Sequence, residues 1–239
     1  MEEDKYVKRM LASTCVGVLL IGNFGVSPGY AEIQSISETT GHLELLENKN
    51  PIEPRNPNDP TNPLYPANDF EEDHIVTGNI GPLSLDVAPG AFDFGQQEMY
   101  QTTHTYYGVN TKASDQYIQV TDNRDADVVG WVVSVRQLNY LTSEDNVLEG
   151  SLIHIPTGEA RNTLNHDTTE IDPTLTGKAV EVGLEEEKIF YPNSPGAGKG
   201  TSTLKWQPND VGLTIPAKQA KQGNYKNTIL WTLTADVVY

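Results

Sequence analysis

Two stretches decide the fold, Gly130-Trp-Val-Val-Ser-Val-Arg136 and Asn227-Thr-Ile-Leu-Trp-Thr-Leu-Thr-Ala-Asp-Val-Val238. Both are rich in β-branched and aromatic residues, which favours β-strands. Residues i and i+2 of a strand project to the same face, so each stretch carries an apolar stripe backed by polar residues. The stripes are Trp131, Val133 and Val135 in the first stretch, and Ile229, Trp231, Leu233 and Ala235 in the second.

The surrounding sequence, from residue 75 to residue 239, shows the same strand pattern and no sustained helical periodicity. Short runs of β-formers alternate with turns rich in Gly, Pro and Asn, as is typical of sandwiches and barrels. We therefore predict an all-β fold, a sandwich or barrel-like single domain over 75–239. The remaining predicted strands are Gly81–Val87, Tyr117–Asp122, Ser151–Ile155, Ala179–Val182 and Thr201–Trp206.

The first 31 residues have the pattern of a secretory signal peptide. Lys5, Lys8 and Arg9 precede an apolar run from Met10 to about Phe24, and small residues follow near Ala31. The run is short for a membrane span. The pattern predicts export and removal of residues 1–31, which would leave a mature chain without cysteine.

A proline ladder follows within residues 32–74. From Pro51 to Pro66 a proline occurs at every third position, which matches the three residues per turn of polyproline II. The first part of this region is polar and has few bulky apolar side chains, which is typical of disorder. We expect 32–74 to be a disordered segment with a polyproline-II spacer of on the order of 50 Å.

The charge of the chain restricts its partners. Asp and Glu total 33 against 16 Lys and Arg, a formal net charge of −17. Such acidity argues against nucleic acid, whose phosphates require cationic side chains. It also disfavours loose adsorption to anionic lipids or wall polymers. Any attachment to an anionic surface must be stereospecific, or be bridged by a cation or a second protein.

The order of several motifs resembles the WxL-domain family of Gram-positive cell-surface proteins. The segments that carry the resemblance are Gly81–Gly95, Val120–Arg124 with Gly130-Trp131, Leu213–Pro216, Tyr225 and Leu230–Thr234. Val133 stands where the family pattern has Leu. That change removes about one methylene group, roughly 1 kcal/mol of burial, which a core usually absorbs.

The resemblance implies a secreted protein retained at the cell surface by non-covalent attachment to peptidoglycan. It also implies a membrane-anchored wall-binding partner protein and further WxL proteins as partners, with no cofactor and no enzymatic activity. The sequence shows no Leu-Pro-x-Thr-Gly sorting motif near residue 239. Retention by binding is therefore the expected mode of attachment.

The motif residues Trp131, Val133, Trp231 and Leu233 are the candidate binding residues. Aromatic faces stack on sugar rings and often dominate interfaces. Alternating stripes that contain Trp are, however, usually the inner faces of sandwiches. We consider a core role the stronger interpretation, and direct ligand contact the alternative.

A polar cluster between two predicted strands, Asp122, Asn123 and Arg124, offers possible polar contacts. Its oxygen atoms could hold calcium, but the spacing is not that of an EF-hand, and we predict no metal site. Arg124 could instead pair with Asp122 or bind a peptidoglycan carboxylate. The five histidines are not spaced as zinc ligands.

Two other functions remain open from the sequence. Asp86 and Asp93 could act as the carboxylate pair of a secreted cell-wall hydrolase, since glycosidases use two such groups. Turn formation explains these acids more simply. A host-directed adhesin that binds matrix proteins or glycans is compatible with wall attachment, because a retained domain can have a second binding face.

Overall fold

The computed structural model describes residues 37–64, 74–109, 114–125 and 129–237. The predicted signal peptide, residues 1–31, lies outside the described residues. The chain divides into two units, 1–44 and 45–239. In the first unit, residues 37–44 are exposed and have no regular secondary structure. The strands of the described residues all lie in the second unit.

The fold is all-β, as predicted, and the described residues form seventeen short strands with one 3-10 turn at Pro208–Asp210. The first eight strands are β1 Arg55–Asn56, β2 Asp59–Pro63, β3 His74–Val76, β4 Leu83–Pro89, β5 His104–Tyr107, β6 Gln116–Asp122, β7 Val129–Gln137 and β8 Thr142–Ser143. The others are β9 Asn146–Val147, β10 Leu152–Ile155, β11 Glu159–Asn162, β12 Leu175–Gly177, β13 Val180–Val182, β14 Glu187–Pro192, β15 Gly200–Trp206, β16 Gly212–Ile215 and β17 Ile229–Val237.

Three antiparallel sheets surround a common apolar core. A five-stranded sheet has the order β11-β15-β6-β4-β3, and two four-stranded sheets have the orders β12-β14-β7-β17 and β13-β10-β16-β5. Buried residues from all three sheets form one contiguous cluster. Two small hairpins, β1-β2 and β8-β9, complete the described strands.

The two tryptophan stretches are neighbouring strands. β7 and β17 pair antiparallel over nine residues without a bulge, although they lie roughly a hundred positions apart in the chain. Trp231 lies opposite Val135, and Ala235 lies opposite Trp131. Directly opposed residues share a face. The two apolar stripes therefore merge into one apolar face of the sheet.

The five-stranded sheet has an apolar face and a polar face, and both are buried. Ile118 and Val120 of β6 belong to the main core, as their alternation predicts. Gln119 and Thr121 project to the other face and are nevertheless buried. A surface made of polar groups can be buried only if their hydrogen bonds are satisfied.

A hairpin from the proline-rich segment covers the polar face, so the predicted polyproline-II spacer is wrong for residues 55–63. The side chain of Gln119 accepts a hydrogen bond from the Arg55 backbone N–H (2.7 Å) and donates one to the Glu53 carbonyl (3.1 Å). Leu64 packs against Val87 and Tyr117.

The residues between β1 and β2 favour a tight turn, whereas the regular spacing of the prolines favours an extended polyproline-II helix. The Asn56 side chain accepts from the Asn58 backbone N–H at 2.9 Å, which forms a local Asx turn. Proline is tolerated in such a short edge strand because only an N–H group is lost from the ladder. The triplet spacing was therefore a weaker signal than the Asn-Pro-Asn-Asp turn at residues 56–59.

Candidate functional site

The structure has a groove of about 1140 Å³. The chain segments 89–99 and 220–229 contribute most of its lining, together with side chains from the strands. Its apolar and aromatic lining residues include Phe92, Phe94, Tyr106, Leu141, Leu148, Ile153, Leu213, Ile215, Tyr225, Ile229 and Trp231. Polar and charged side chains of the two loop segments complete the lining. A concave surface that combines apolar residues with polar groups is typical of a binding site.

Trp131 is part of the core and does not line the groove. Its side chain is 0% exposed, and its ring meets Phe190 edge-to-face at a centroid distance of 4.9 Å. The indole N–H donates to the Gly198 carbonyl at 3.0 Å. Gly198 has φ +74°, and a Cβ there would come within 2.8 Å of the indole nitrogen. Only glycine therefore fits over this ring.

Trp231 occupies a different environment, because it is half-buried and lines the groove. Its ring stacks on Trp206 with a centroid distance of 6.5 Å and an interplanar angle of 25°. Trp206 is itself only 4% exposed and donates its indole N–H to Gln116 at 3.2 Å. A fixed inner ring thus supports the outer one. Of the two motif tryptophans, only Trp231 is placed to contact a ligand.

The residues two positions after each tryptophan also differ. Val133 is completely buried in the core, opposite Leu233 in the β7–β17 ladder. Leu233 is half-buried and packs against the same core. Val133, which stands where the family pattern has Leu, therefore lies in the core, and only neighbouring core side chains can adjust to its smaller size.

The polar cluster predicted at Asp122 to Arg124 is an internal ion pair. The Arg124 guanidinium binds both carboxylate oxygens of Asp122, at 2.8 and 2.9 Å, and also donates to the Gly130 carbonyl at 2.9 Å. This hydrogen bonding to Asp122 raises the pKa of Arg124. Lys199 approaches the same carboxylate to 3.5 Å. Asn123 donates its backbone N–H to the Pro82 carbonyl at 2.6 Å.

Arg124 and Lys199 therefore both pair with the Asp122 carboxylate, which was considered as a calcium ligand. Asp122 is 1% exposed and joins β6 to the segment before β15 through Arg124 and Lys199. Within the described parts of the chain, no group of three or more His, Cys, Asp or Glu side chains could hold a metal ion. The cluster acts as an internal brace in this structure.

The structure places Asp86 and Asp93 in different surroundings. Asp86 is buried beneath the hairpin and accepts hydrogen bonds from Ser84, Gln119 and Thr121. Burial raises the pKa of Asp86, and these three hydrogen bonds oppose the shift. Asp93 is exposed, lines the groove and accepts from the Gly95 backbone N–H at 2.8 Å.

Charge is unevenly distributed around the groove. Lys221 and Lys226 line it from the segment before β17, whereas Asp93 and Glu98 line it from the segment after β4. Residues 211–235 contain three lysines and neither Asp nor Glu, in a chain whose formal net charge is −17. The β17 side of the groove is therefore locally cationic.

The groove could not be identified from the sequence. Its lining comes from loops and from several strands whose proximity depends on the sheet topology. One available signal was the Phe92-Asp93-Phe94 alternation, which places two aromatic rings outside any strand. The aromatic Tyr225 in the Gly-Asn-rich stretch before β17 was another.

The fold is an all-β domain with a surface groove that is lined by apolar and aromatic residues together with polar loop side chains. The chain matches the family described as WxL domain surface cell wall-binding over residues 32–236. It belongs to that WxL family. No curated protein and no solved structure matches the chain. In the part of the chain that the structure describes, no helix is long and apolar enough to cross a membrane.

The family is one of cell wall-binding domains and not of enzymes. Membership therefore gives attachment to the cell wall, at the cell surface, as the general role of the chain. The matched range begins at residue 32, so it includes the hairpin that covers the polar sheet face.

Proposed function

We propose that residues 1–31 direct the export of this chain. We further propose that the exported protein is held non-covalently on peptidoglycan, on a membrane-anchored wall-binding partner protein, or on both. The observation that carries the proposal is Trp231, half-buried in the groove and stacked on the buried Trp206. A pre-positioned aromatic face binds a sugar ring or an apolar side chain with little loss of conformational entropy.

The charge of the protein supports binding of this kind. At −17 the chain has no general attraction for an anionic wall. Attachment must come from local shape and contacts, and the groove combines an apolar lining with two lysines on one side. Its volume of about 1140 Å³ slightly exceeds the usual range for small-molecule sites, which suits a polymer segment.

Co-sedimentation tests the proposal. The full chain is mixed with Gram-positive walls stripped of surface proteins and, separately, with membranes of the same cells. Trp231→Ala should weaken binding about 30-fold, because an aromatic hot spot contributes roughly 2 kcal/mol or more. Leu230→Ala is the matched control, since Leu230 lies next to Trp231 and is 38% exposed but does not line the groove.

Circular dichroism and thermal melting establish that both variants are folded before binding is compared. Retention of wall binding in folded Trp231→Ala would remove the groove from the proposal. Failure of the unaltered chain to sediment with either walls or membranes would overturn the proposed attachment itself.

A further inference from the structure

We infer that copies of this chain associate head to tail through residues 37–46, which we call the N-terminal arm. The leucines of the arm of one copy enter the groove of the next copy. The inference goes beyond wall attachment, because it gives the groove a second ligand and gives a role to a segment that lies outside the sheets.

The arm presents apolar side chains that its own copy leaves uncovered. Leu43, Leu45 and Leu46 are each 83% exposed. A single exposed leucine is common at a protein surface, whereas three leucines within four positions form an apolar patch. Leucine side chains gain free energy when they leave water, so this run is suited to an apolar binding site.

The arm joins the domain where β4 begins and β6 ends. The Lys49 carbonyl accepts a hydrogen bond from the Gly81 backbone N–H at 3.0 Å, just before β4. The Glu47 carboxylate accepts one from the Asp125 backbone N–H at 3.2 Å, just after β6. These two contacts fix the base of the arm at one end of the five-stranded sheet.

The groove lies at the other end of the same sheet. β4 runs from Leu83 to Pro89, and Pro89 lines the groove. Six steps along a strand correspond to about 20 Å. An extended chain gains at most about 3.6 Å per residue, so Leu46 and Leu45 extend only about 11–14 Å from Lys49. They cannot enter the groove of their own copy, and a second copy can supply one.

The lining of the groove matches the leucines. Its floor consists of apolar side chains from the strands and the segment after β7, and these are buried beneath the surface. They are Leu141, Leu148, Ile153, Leu213 and Ile215. Trp231 adds a half-buried aromatic face to the wall. Leucine side chains that enter the groove therefore exchange water for apolar contacts on several sides.

The rim of the groove matches the charge of the arm. Lys221 and Lys226 line the groove and are exposed, so they stand at its rim. The arm contains two glutamates and neither lysine nor arginine. When alternate side chains of an extended segment lie on the floor, those between them point out of the groove. Glu44, which lies between two leucines, then meets the rim lysines. Asp93 and Glu98 line the opposite side, so charge selects the orientation of the arm.

The positions of the arm and the groove determine the kind of assembly. Each copy offers an arm at one end of the sheet and a groove at the other, so the contact joins two different surfaces. Such a heterologous contact continues from copy to copy unless a ring closes. The structure therefore favours a row of copies over a symmetric dimer.

The experiment measures the mass of the full chain by sedimentation velocity over a series of concentrations. The ionic strength is about 0.15 M, at which charges more than about 8 Å apart are largely screened, so the net charge of −17 does not keep the copies apart. The mean mass should rise with concentration and pass that of a dimer. Replacing Leu43, Leu45 and Leu46 by Ser should weaken association at least tenfold. Leu164→Ser is the matched control, since Leu164 is 69% exposed and lies outside the groove lining.

A mixture of two variants tests whether the arm and the groove bind each other. Trp231→Ala changes only the groove, and the triple Ser variant changes only the arm. Each alone should associate at least tenfold more weakly than the unaltered chain. Together they should form a dimer with one copy of each, because one supplies an intact groove and the other an intact arm. If Trp231→Ala fails to fold, Lys221→Glu with Lys226→Glu replaces it, since both side chains are exposed.

Several outcomes overturn the inference. An unaltered chain that stays monomeric at every concentration would exclude self-association. Association that persists in the triple Ser variant would assign it to another surface. A mixture that forms no dimer would show that arm and groove do not bind each other. Wall co-sedimentation of the triple Ser variant is scored separately and should equal that of the unaltered chain. Failure of self-association and failure of wall attachment are therefore distinguishable.

Discussion

Replacing Trp131 tests whether the first tryptophan of the family signature builds the domain or contacts the wall. The side chain is 0% exposed and packs edge-to-face on Phe190. Truncation of a fully buried Trp to Ala leaves a large cavity and costs about 3–5 kcal/mol. The substitution also removes the donor for the Gly198 carbonyl, and an unsatisfied buried acceptor adds about 1–3 kcal/mol unless water reaches it.

We therefore expect Trp131→Ala to lower the free energy of unfolding by at least 3 kcal/mol, measured by urea denaturation at 25 °C. Trp131→Phe should cost less, because most of the ring volume remains. Wall binding of either variant, measured where more than nine-tenths of the protein is folded, should equal that of the unaltered chain. Loss of wall binding with an unchanged free energy of unfolding would refute the assignment of Trp131 to the core.

Two further predictions concern the buried carboxylates. Burial raises the pKa of Asp86, so the folded state binds the Asp86 proton more tightly than the unfolded state does. The contribution of Asp86 to the free energy of unfolding should therefore be greatest below about pH 4 and should decrease as the pH rises through the folded-state pKa. Urea denaturation across this pH range should show the decrease in the free energy of unfolding for the unaltered chain but not for Asp86→Asn. The same pH dependence in both proteins would contradict the role of Asp86. Asp122→Ala leaves Arg124 and Lys199 without their shared carboxylate and should cost about 3 kcal/mol, whereas Asp125→Ala, an exposed neighbour, should cost little. Thermal melting measures both variants, and equal melting temperatures would show that the ion pair is not a brace.

The strands were predictable because their signal is local. Alternation and the preference of β-branched and aromatic residues for strands identified β6, β7, β15 and β17 to within two residues at either end. Alternation also gave the apolar faces of β6, β7 and β17. The alternation of apolar and polar residues is a property of each strand by itself, and it is expected in any antiparallel architecture. The direct pairing of β7 with β17 followed from neither stretch, since register between distant strands is set by the whole sheet.

The groove and the hairpin were not predictable for a related reason. Trp131 and Trp231 have the same local pattern, yet one lies inside the sheet and the other in an edge strand beside a groove. Only the strand order distinguishes them. Over residues 55–63 the proline period suggested an isolated segment, whereas the bonds from Gln119 hold it against the sheet. Tertiary contacts of this kind produce no periodic pattern in the sequence.

The pairing of β7 with β17 has a consequence for the order of events during biogenesis. Strands that lie roughly a hundred positions apart form contacts of high sequence separation, which slow folding. If the chain is exported as proposed, β7 lacks one neighbour until β17 has crossed the membrane, and the apolar face around Trp131 remains incomplete until then. The domain should thus stay unfolded through most of translocation and complete its core only after β17 has crossed.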